Sequence, residues 1–206
     1  MTDQRQPNPS GALARSSLTR AEIPRLDTAR FYLRTLRPSD ASARWIGWFA
    51  DPEVMTPLNV KTVQMSLQEL QAHIARHDQA KRLLIGIFER STDLHIGYYK
   101  IDIDSRHRLA SVNVIIGDKD YWGRKVVNET RAAILDYLFK ERNIAKAVGM
   151  PPARNFPSIF NYHAQGWRLE GILKSHRESI RSGRIDQLQF GLNKEDWLAV
   201  RGERDS

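Results

Sequence analysis

Ala110-Ser-Val-Asn-Val-Ile-Ile-Gly117, the turn Asp118-Lys-Asp-Tyr-Trp-Gly-Arg-Lys125, and an apolar-periodic run from Val127 to about Glu141 decide how this chain is built. The first piece reads as a strand and the last as a helix. Ala145-Lys-Ala-Val-Gly-Met150 reads as the next strand, closed by Pro151-Pro152, which cannot supply ladder donors. A short helix then ends at Gly166-Trp167. A strand that feeds a helix N-terminus through a turn can hold phosphate. The first helical N–H groups are unpaired and the helix dipole favours an anion.

Working outward, Phe31 to Leu36 alternates as a first strand, and Asp40 to Ala50 reads as a helix stopped by Asp51-Pro52. Residues 53–65 look irregular. Ser66-Leu-Gln-Glu69 is a capping box that opens a helix to about Ala80. Arg82 to Glu89 and Leu94 to Ile103 form an antiparallel hairpin across Arg90-Ser-Thr-Asp93. After Trp167, strands Arg168 to His176 and Gln187 to Leu192 are joined across Arg181-Ser-Gly183. The expectation is one mixed α/β domain over residues 25–197, with disordered tails at 1–24 and 198–206.

The 206 residues suit one domain with a sizeable core, and 41% hydrophobic with 27% charged residues fit a soluble protein. No apolar run approaches the roughly 20 residues that span a bilayer. The N-terminus lacks the apolar core of a secretory signal, so the expected location is cytoplasmic, with no membrane partner. The absence of cysteine excludes disulfides, thiolate metal sites and an acyl-cysteine intermediate. A formal charge of +8 fits either an anionic partner or basic residues scattered for solubility.

The order β-α-α-β-β-β-α-β-α-β-β resembles the GNAT acyl-CoA transferase fold, and local words resemble its RimJ/RimL-like branch. Ile116-Gly-Asp-Lys-Asp-Tyr-Trp-Gly-Arg-Lys-Val-Val-Asn-Glu129 is similar to that branch's strand and pyrophosphate loop. Asn155-Phe-Pro-Ser-Ile-Phe-Asn-Tyr-His-Ala-Gln-Gly-Trp167 is similar to its second signature. Leu26 to Leu36 resembles the opening strand, and Asp186 to Leu192 with Glu195-Asp-Trp197 resembles the ending. The resemblance implies a mostly antiparallel, twisted sheet of about seven strands, splayed at the cofactor site and flanked by about four helices.

It also implies an acetyl-CoA-dependent N-acetyltransferase without metal, in which an amine attacks the thioester directly. The backbone of Val114, Ile115 and Ile116 would hold the thioester oxygen. Amides from Trp122 through Gly123, Arg124, Lys125 and Val126 to Val127 would hold phosphate, with Arg124 and Lys125 as auxiliary cations. Asn155 and Ser158 match positions that contact the pantetheine arm and adenine end, and Tyr162 matches the acid that protonates the thiolate. One departure stands out: the family's loop glycine and following small residue fall on Lys125 and Val127, and the loop's glycine is Gly123. A catalytically weak CoA-binding regulator is therefore the alternative function.

Other readings stay open on the residues alone. Tyr162 fits half-buried packing, Asn155 a helix cap, and Trp122 packing as well as contact. Asp102, Asn113 through a water, Glu129 and His176 are candidates for the base. Trp45, Trp48, Met55 and Tyr98-Tyr99 are candidates for the acceptor pocket or the core. His73 and His77 read as a surface pair without a metal motif. The acceptor is a primary amine on a small molecule, such as a nucleotide-linked amino sugar, or a protein N-terminus. No specific nucleic-acid motif is present, and a homodimer is left open.

Overall fold

The computed structural model describes residues 22–202. Its strands are β1 (Leu26–Asp27), β2 (Phe31–Thr35), β3 (Arg82–Glu89), β4 (His95–Asp104), β5 (Leu109–Ile116), β6 (Lys146–Gly149), β7 (Arg168–Glu178) and β8 (Arg184–Asn193). They form one sheet in the order β1-β2-β3-β4-β5-β6-β8-β7. Neighbours are antiparallel except β5 and β6, which run parallel. The helices are α1 (Ala43–Ala50), α2 (Pro52–Met55), α3 (Leu67–Ala75), α4 (Val126–Asp136), α5 (Phe156–Ala164) and α6 (Lys194–Gly202).

Alternate strand residues serve opposite faces. Leu83, Ile85 and Ile87 of β3 pack with Ile134 and Leu135 of α4, Tyr162 of α5 and Trp197 of α6. Leu84 and Phe88 of the same strand pack with Trp45 and Trp48 of α1, Met55 of α2, and Leu70 and Ile74 of α3. Trp45, Trp48, Met55, Tyr98 and Tyr99 therefore belong to the cores. The open choice between pocket and core resolves to core.

The mixed α/β, mostly antiparallel class is as expected, with eight strands in place of about seven and six helices in place of about four among the described residues. The extra strand, β1, is two residues long and too short to show alternation. The extra helices are α2 and α6, and α2 starts where a stop was read: the Asp51 side chain accepts from the Glu53 amide, and Pro52 occupies the first helical position. Helix α1 begins at Ala43 because Ser42 caps it, its hydroxyl accepting from the Trp45 amide. The Ser66–Glu69 capping box is present on α3. That helix ends at Ala75 instead of about Ala80, because one Asp78 carboxylate oxygen gathers the amides of Ala80, Lys81 and Arg82 into a loop.

This early stop corrects the surface reading of His73 and His77. His77 lies in the loop rather than on a helix face, is 5% exposed, and has Nδ1 3.1 Å from the His73 carbonyl oxygen. Burial lowers the pKa of both imidazoles. At the chain ends, Ile23 is already core and α6 runs to Gly202. The remaining parts of the expected tails, 1–21 and 203–206, lie outside the described residues. Among the described residues no helix is long and apolar enough to cross a membrane, and no His/Asp/Glu group could hold a metal ion.

His95 is enclosed by Trp45, Trp48 and Phe88, with ring centroids 5.0, 5.1 and 4.9 Å away. Burial pushes its imidazole down to about 4, from an ordinary 6.5. Below pH 6.5 the unfolded chain takes up this proton before the folded chain does. Stability should therefore fall by on the order of 3 kcal/mol between pH 6.5 and 4. His95→Phe should flatten that part of a urea-unfolding series, and an unchanged slope would contradict the assignment.

Candidate active site

The parallel pair β5–β6 is joined only at Leu109↔Lys146, Ala110↔Ala147 and Ser111↔Val148. Beyond it, β5 continues to Ile116 while β6 ends at Gly149. Tyr162 of α5 occupies the first step past the last pair. Its hydroxyl donates to the Val112 carbonyl at 3.4 Å, and a Cβ on Gly149 would fall 2.1 Å from that same oxygen. The ring stacks on Phe190 of β8 and meets Trp167 edge-on, both with centroids 4.9 Å away. A packed ring thus holds the strands apart, and Gly149 leaves room for it.

One edge of β5 is consequently open. The Gly117 amide donates to Ile96 on the β4 side. The carbonyls of Val112 and Ile116 instead accept from the Tyr162 hydroxyl and the Trp122 indole, on the other side. Backbone direction alternates along a strand, so Val114 also turns its N–H and C=O toward the open side.

The loop from β5 to α4 is fixed at both ends. Asp118 accepts from the Asp120 amide and pairs with Arg44 of α1. The Trp122 indole N–H donates to Ile116 at 2.8 Å. Arg30, just before β2, donates to the Arg124 carbonyl and pairs with Glu129, each at 2.8 Å. Among the described residues, the amides from Gly123 to Asn128 donate to no chain acceptor; the next, Glu129, donates to Lys125. These free donors at a helix N-terminus suit a diphosphate. Lys125, the helix N-cap, sits at φ 58 and ψ 23. The residue is left-handed, a geometry glycine adopts freely and a lysine holds at about 1–2 kcal/mol.

A cavity of about 510 Å³ lies between this loop, α5 and the open edge of β5. Val114, Ile115 and Ile116 line it from the strand, and Trp122, Gly123, Lys125, Val126 and Val127 from the loop and helix. Asn155 and Ser158 line it from α5. Asn155 also caps that helix, its Oδ1 accepting from the Ser158 amide at 3.2 Å. Two expected site residues are not among the lining. Arg124 turns its guanidinium over Tyr121, and Tyr162 lies at the split, 3% exposed, with burial raising its pKa.

None of the four candidate bases lines this cavity. Asp102 pairs with Lys100, while Asn113 and His176 are exposed on their strands. Burial opposes ionisation of Glu129, yet hydrogen bonds from the Arg30 amide, Thr28 and the Arg30 guanidinium hold its carboxyl below the usual range. It faces a separate groove of about 540 Å³ on the other side of α4, bounded also by Asp136 and Arg201.

The wall includes residues that sequence reasoning missed. Glu53 of α2 supplies a carboxylate, paired with Lys119 at 2.5 Å. Asn128 and Arg131 come from α4. Arg131 is fully buried, although it is four residues after Val127 and three before Ile134, on the stripe that packs inward. A cation on an apolar stripe was the signal available in the sequence.

Residues 30–160 match the family model described as "Acetyltransferase (GNAT) domain". The chain belongs to the GNAT acetyltransferase family and is an acyltransferase; the family's reaction moves an acetyl group from acetyl-CoA to an amine. Among solved structures it is similar to the ribosomal-protein-S5-alanine acetyltransferase of Vibrio fischeri. That match has TM-score 0.74 at 15% identity and covers 85% of this chain and 99% of the other. It is also similar to the spermidine N-acetyltransferase of Vibrio cholerae in complex with CoA and spermine, with TM-score 0.72, 21% identity, and 82% and 98% covered. A GNAT-family acetyltransferase from Bacillus anthracis gives TM-score 0.71 at 16% identity, covering 84% and 99%. No curated protein matches the chain by sequence.

Two substitutions test this geometry. Gly149→Ala should lower stability by about 1–3 kcal/mol through overpacking against Tyr162. In a double-mutant cycle with Tyr162→Leu the losses should be less than additive, and strict additivity would contradict the wedge. Lys125→Gly should preserve or tighten CoA binding in calorimetry while relieving the left-handed strain. A large loss would show that the lysine side chain itself holds phosphate.

Proposed function

We propose that this enzyme transfers acetyl from acetyl-CoA directly to a primary amine, using the 510 Å³ cavity, and that it sits in the RimJ/RimL-like branch of its family. The observation carrying this reading is the run of free amides from Gly123 to Asn128 beside the open edge at Val114. In it, those amides hold the CoA diphosphate. Asn155 and Ser158 contact the pantetheine arm. The Val114 N–H donates to the thioester oxygen, where negative charge develops as the amine attacks.

Tyr162 supplies the proton for the departing thiolate. Its raised pKa keeps it protonated at neutral pH, so a donor is present without further tuning. The amine approaches from the α2 side, where Glu53 attracts its ammonium form; it loses one proton to water before attacking and a second as the amide forms, and Tyr162 regains its proton from solvent. A net charge of +8 favours an acceptor that also carries negative charge, such as a nucleotide-linked amino sugar, over a basic protein N-terminus.

A thermal-shift titration with acetyl-CoA followed by thiol-release assays on an amine panel tests the reading. Stabilisation by acetyl-CoA and turnover with one class of amine are expected. Stabilisation without turnover on any amine would favour the regulatory alternative. Tyr162→Phe should lower kcat by about 100-fold or more with little change in CoA affinity, and unchanged kcat would remove its role as acid. Glu53→Gln should raise KM for the amine and leave CoA binding alone; an unchanged KM would remove Glu53 from the acceptor site.

A further inference from the structure

Arg131 is 0% exposed and lines the cavity. Its Nη1 donates to Gln165 Oε1 at 3.1 Å, the Tyr99 hydroxyl lies beside the guanidinium, and Nε and Nη2 make no hydrogen bond of regular geometry. Among the described residues no carboxylate lies within ion-pair distance of it. An arginine stays charged, and a buried charge without a counterion is held at a large desolvation penalty. The guanidinium carbon lies 4.4 Å from the Tyr162 ring centroid and 5.7 Å from that of Trp167. Such contacts offset part of that penalty, but they satisfy no N–H donor.

The surroundings hold the guanidinium in place. The Gln165 carboxamide donates through Nε2 to the Asn128 carbonyl at 2.9 Å, which fixes the orientation presenting Oε1 to Arg131. Asn128 Oδ1, also on the cavity wall, has no donor. A positive charge with two unused donor atoms thus lies just behind the cavity wall, shut off from solvent, and Asn128, one turn earlier on α4, holds an unused acceptor.

We propose that Arg131 recognises a carboxylate that a reactant carries into this cavity. The inference rests on the acyl-transfer reading of the same cavity. The CoA diphosphate is assigned to the amides of the Gly123–Asn128 turn, whereas Arg131 reaches toward Gln165 and Tyr162, at the split between β5 and β6. The pantetheine arm between diphosphate and thioester is neutral. The anion that meets Arg131 therefore belongs to a reacting end: the distal carboxylate of a dicarboxylic acyl thioester, or the carboxylate of an amino-acid-like acceptor. A planar guanidinium with free Nε and Nη2 matches a carboxylate through two parallel N–H···O bonds.

The test measures kcat/KM for paired reactants that differ in one carboxylate. The acyl arm compares succinyl-CoA with butyryl-CoA, and the acceptor arm compares α-amino acids with their methyl esters, using acetyl-CoA. The wild-type enzyme should prefer the carboxylate-bearing member by about tenfold or more in one arm, which identifies the source. Arg131→Met should abolish that preference while CoA binding, read by calorimetry, persists; Arg131→Lys should retain part of it. Wild-type selectivity decides the matter even where a variant fails to fold. CoA binding with no carboxylate preference in either arm overturns this inference alone. Failure of CoA itself to bind overturns the reading of the cavity, and this inference with it.

Discussion

The architecture of the site follows from one packing contact. The Tyr162 ring, clamped by Phe190 and Trp167, sits where β5 and β6 would make their next pair after Ser111 and Val148. A parallel ladder gains a hydrogen bond with each further step, so parting it early needs a compensating interaction. Here a buried aromatic ring, a glycine at position 149 and a bond to the Val112 carbonyl provide it. Parting the strands exposes the backbone of Val114 at the edge of the cavity. In the proposed mechanism the acid is therefore also the residue that opens the edge of β5.

The second constraint is electrostatic. The loop that follows β5 is anchored by Arg30, Arg44 and the Trp122 indole through carbonyls and carboxylates, leaving the amide side free. Lys125 bends into a left-handed N-cap to accomplish this, and Gly123, two residues earlier, also has a positive φ. Lys125 thus holds a conformation that glycine adopts more freely. The lysine adds a cation at the mouth of the cavity, while Arg131 puts another just behind its wall.

Much of this was legible in the sequence because it rests on local rules. The hairpin β3–β4, the capping box on α3 and the strand-turn-helix at Gly117 to Val126 each carry their own signals. That residues of β5, the following turn and α5 would come together was also legible, because each set is a contiguous word in the chain. Other features were hidden for physical reasons. Strand β1 is held by β2 and is too brief for a pattern, and α3 is cut short by a side-chain loop at Asp78. Glu53 and Arg131 reach the cavity only through tertiary packing. The position of Arg131 on an apolar stripe was a readable anomaly, but periodicity alone does not say what such a cation faces.

A structure of the protein with bound CoA tests the central claim most directly. The account predicts the diphosphate on the amides between Gly123 and Asn128, and the pantetheine arm along the open edge of β5 with the sulfur near the Tyr162 hydroxyl. A diphosphate bound elsewhere, or a β5–β6 ladder closed past Ser111 with Tyr162 displaced, would contradict it.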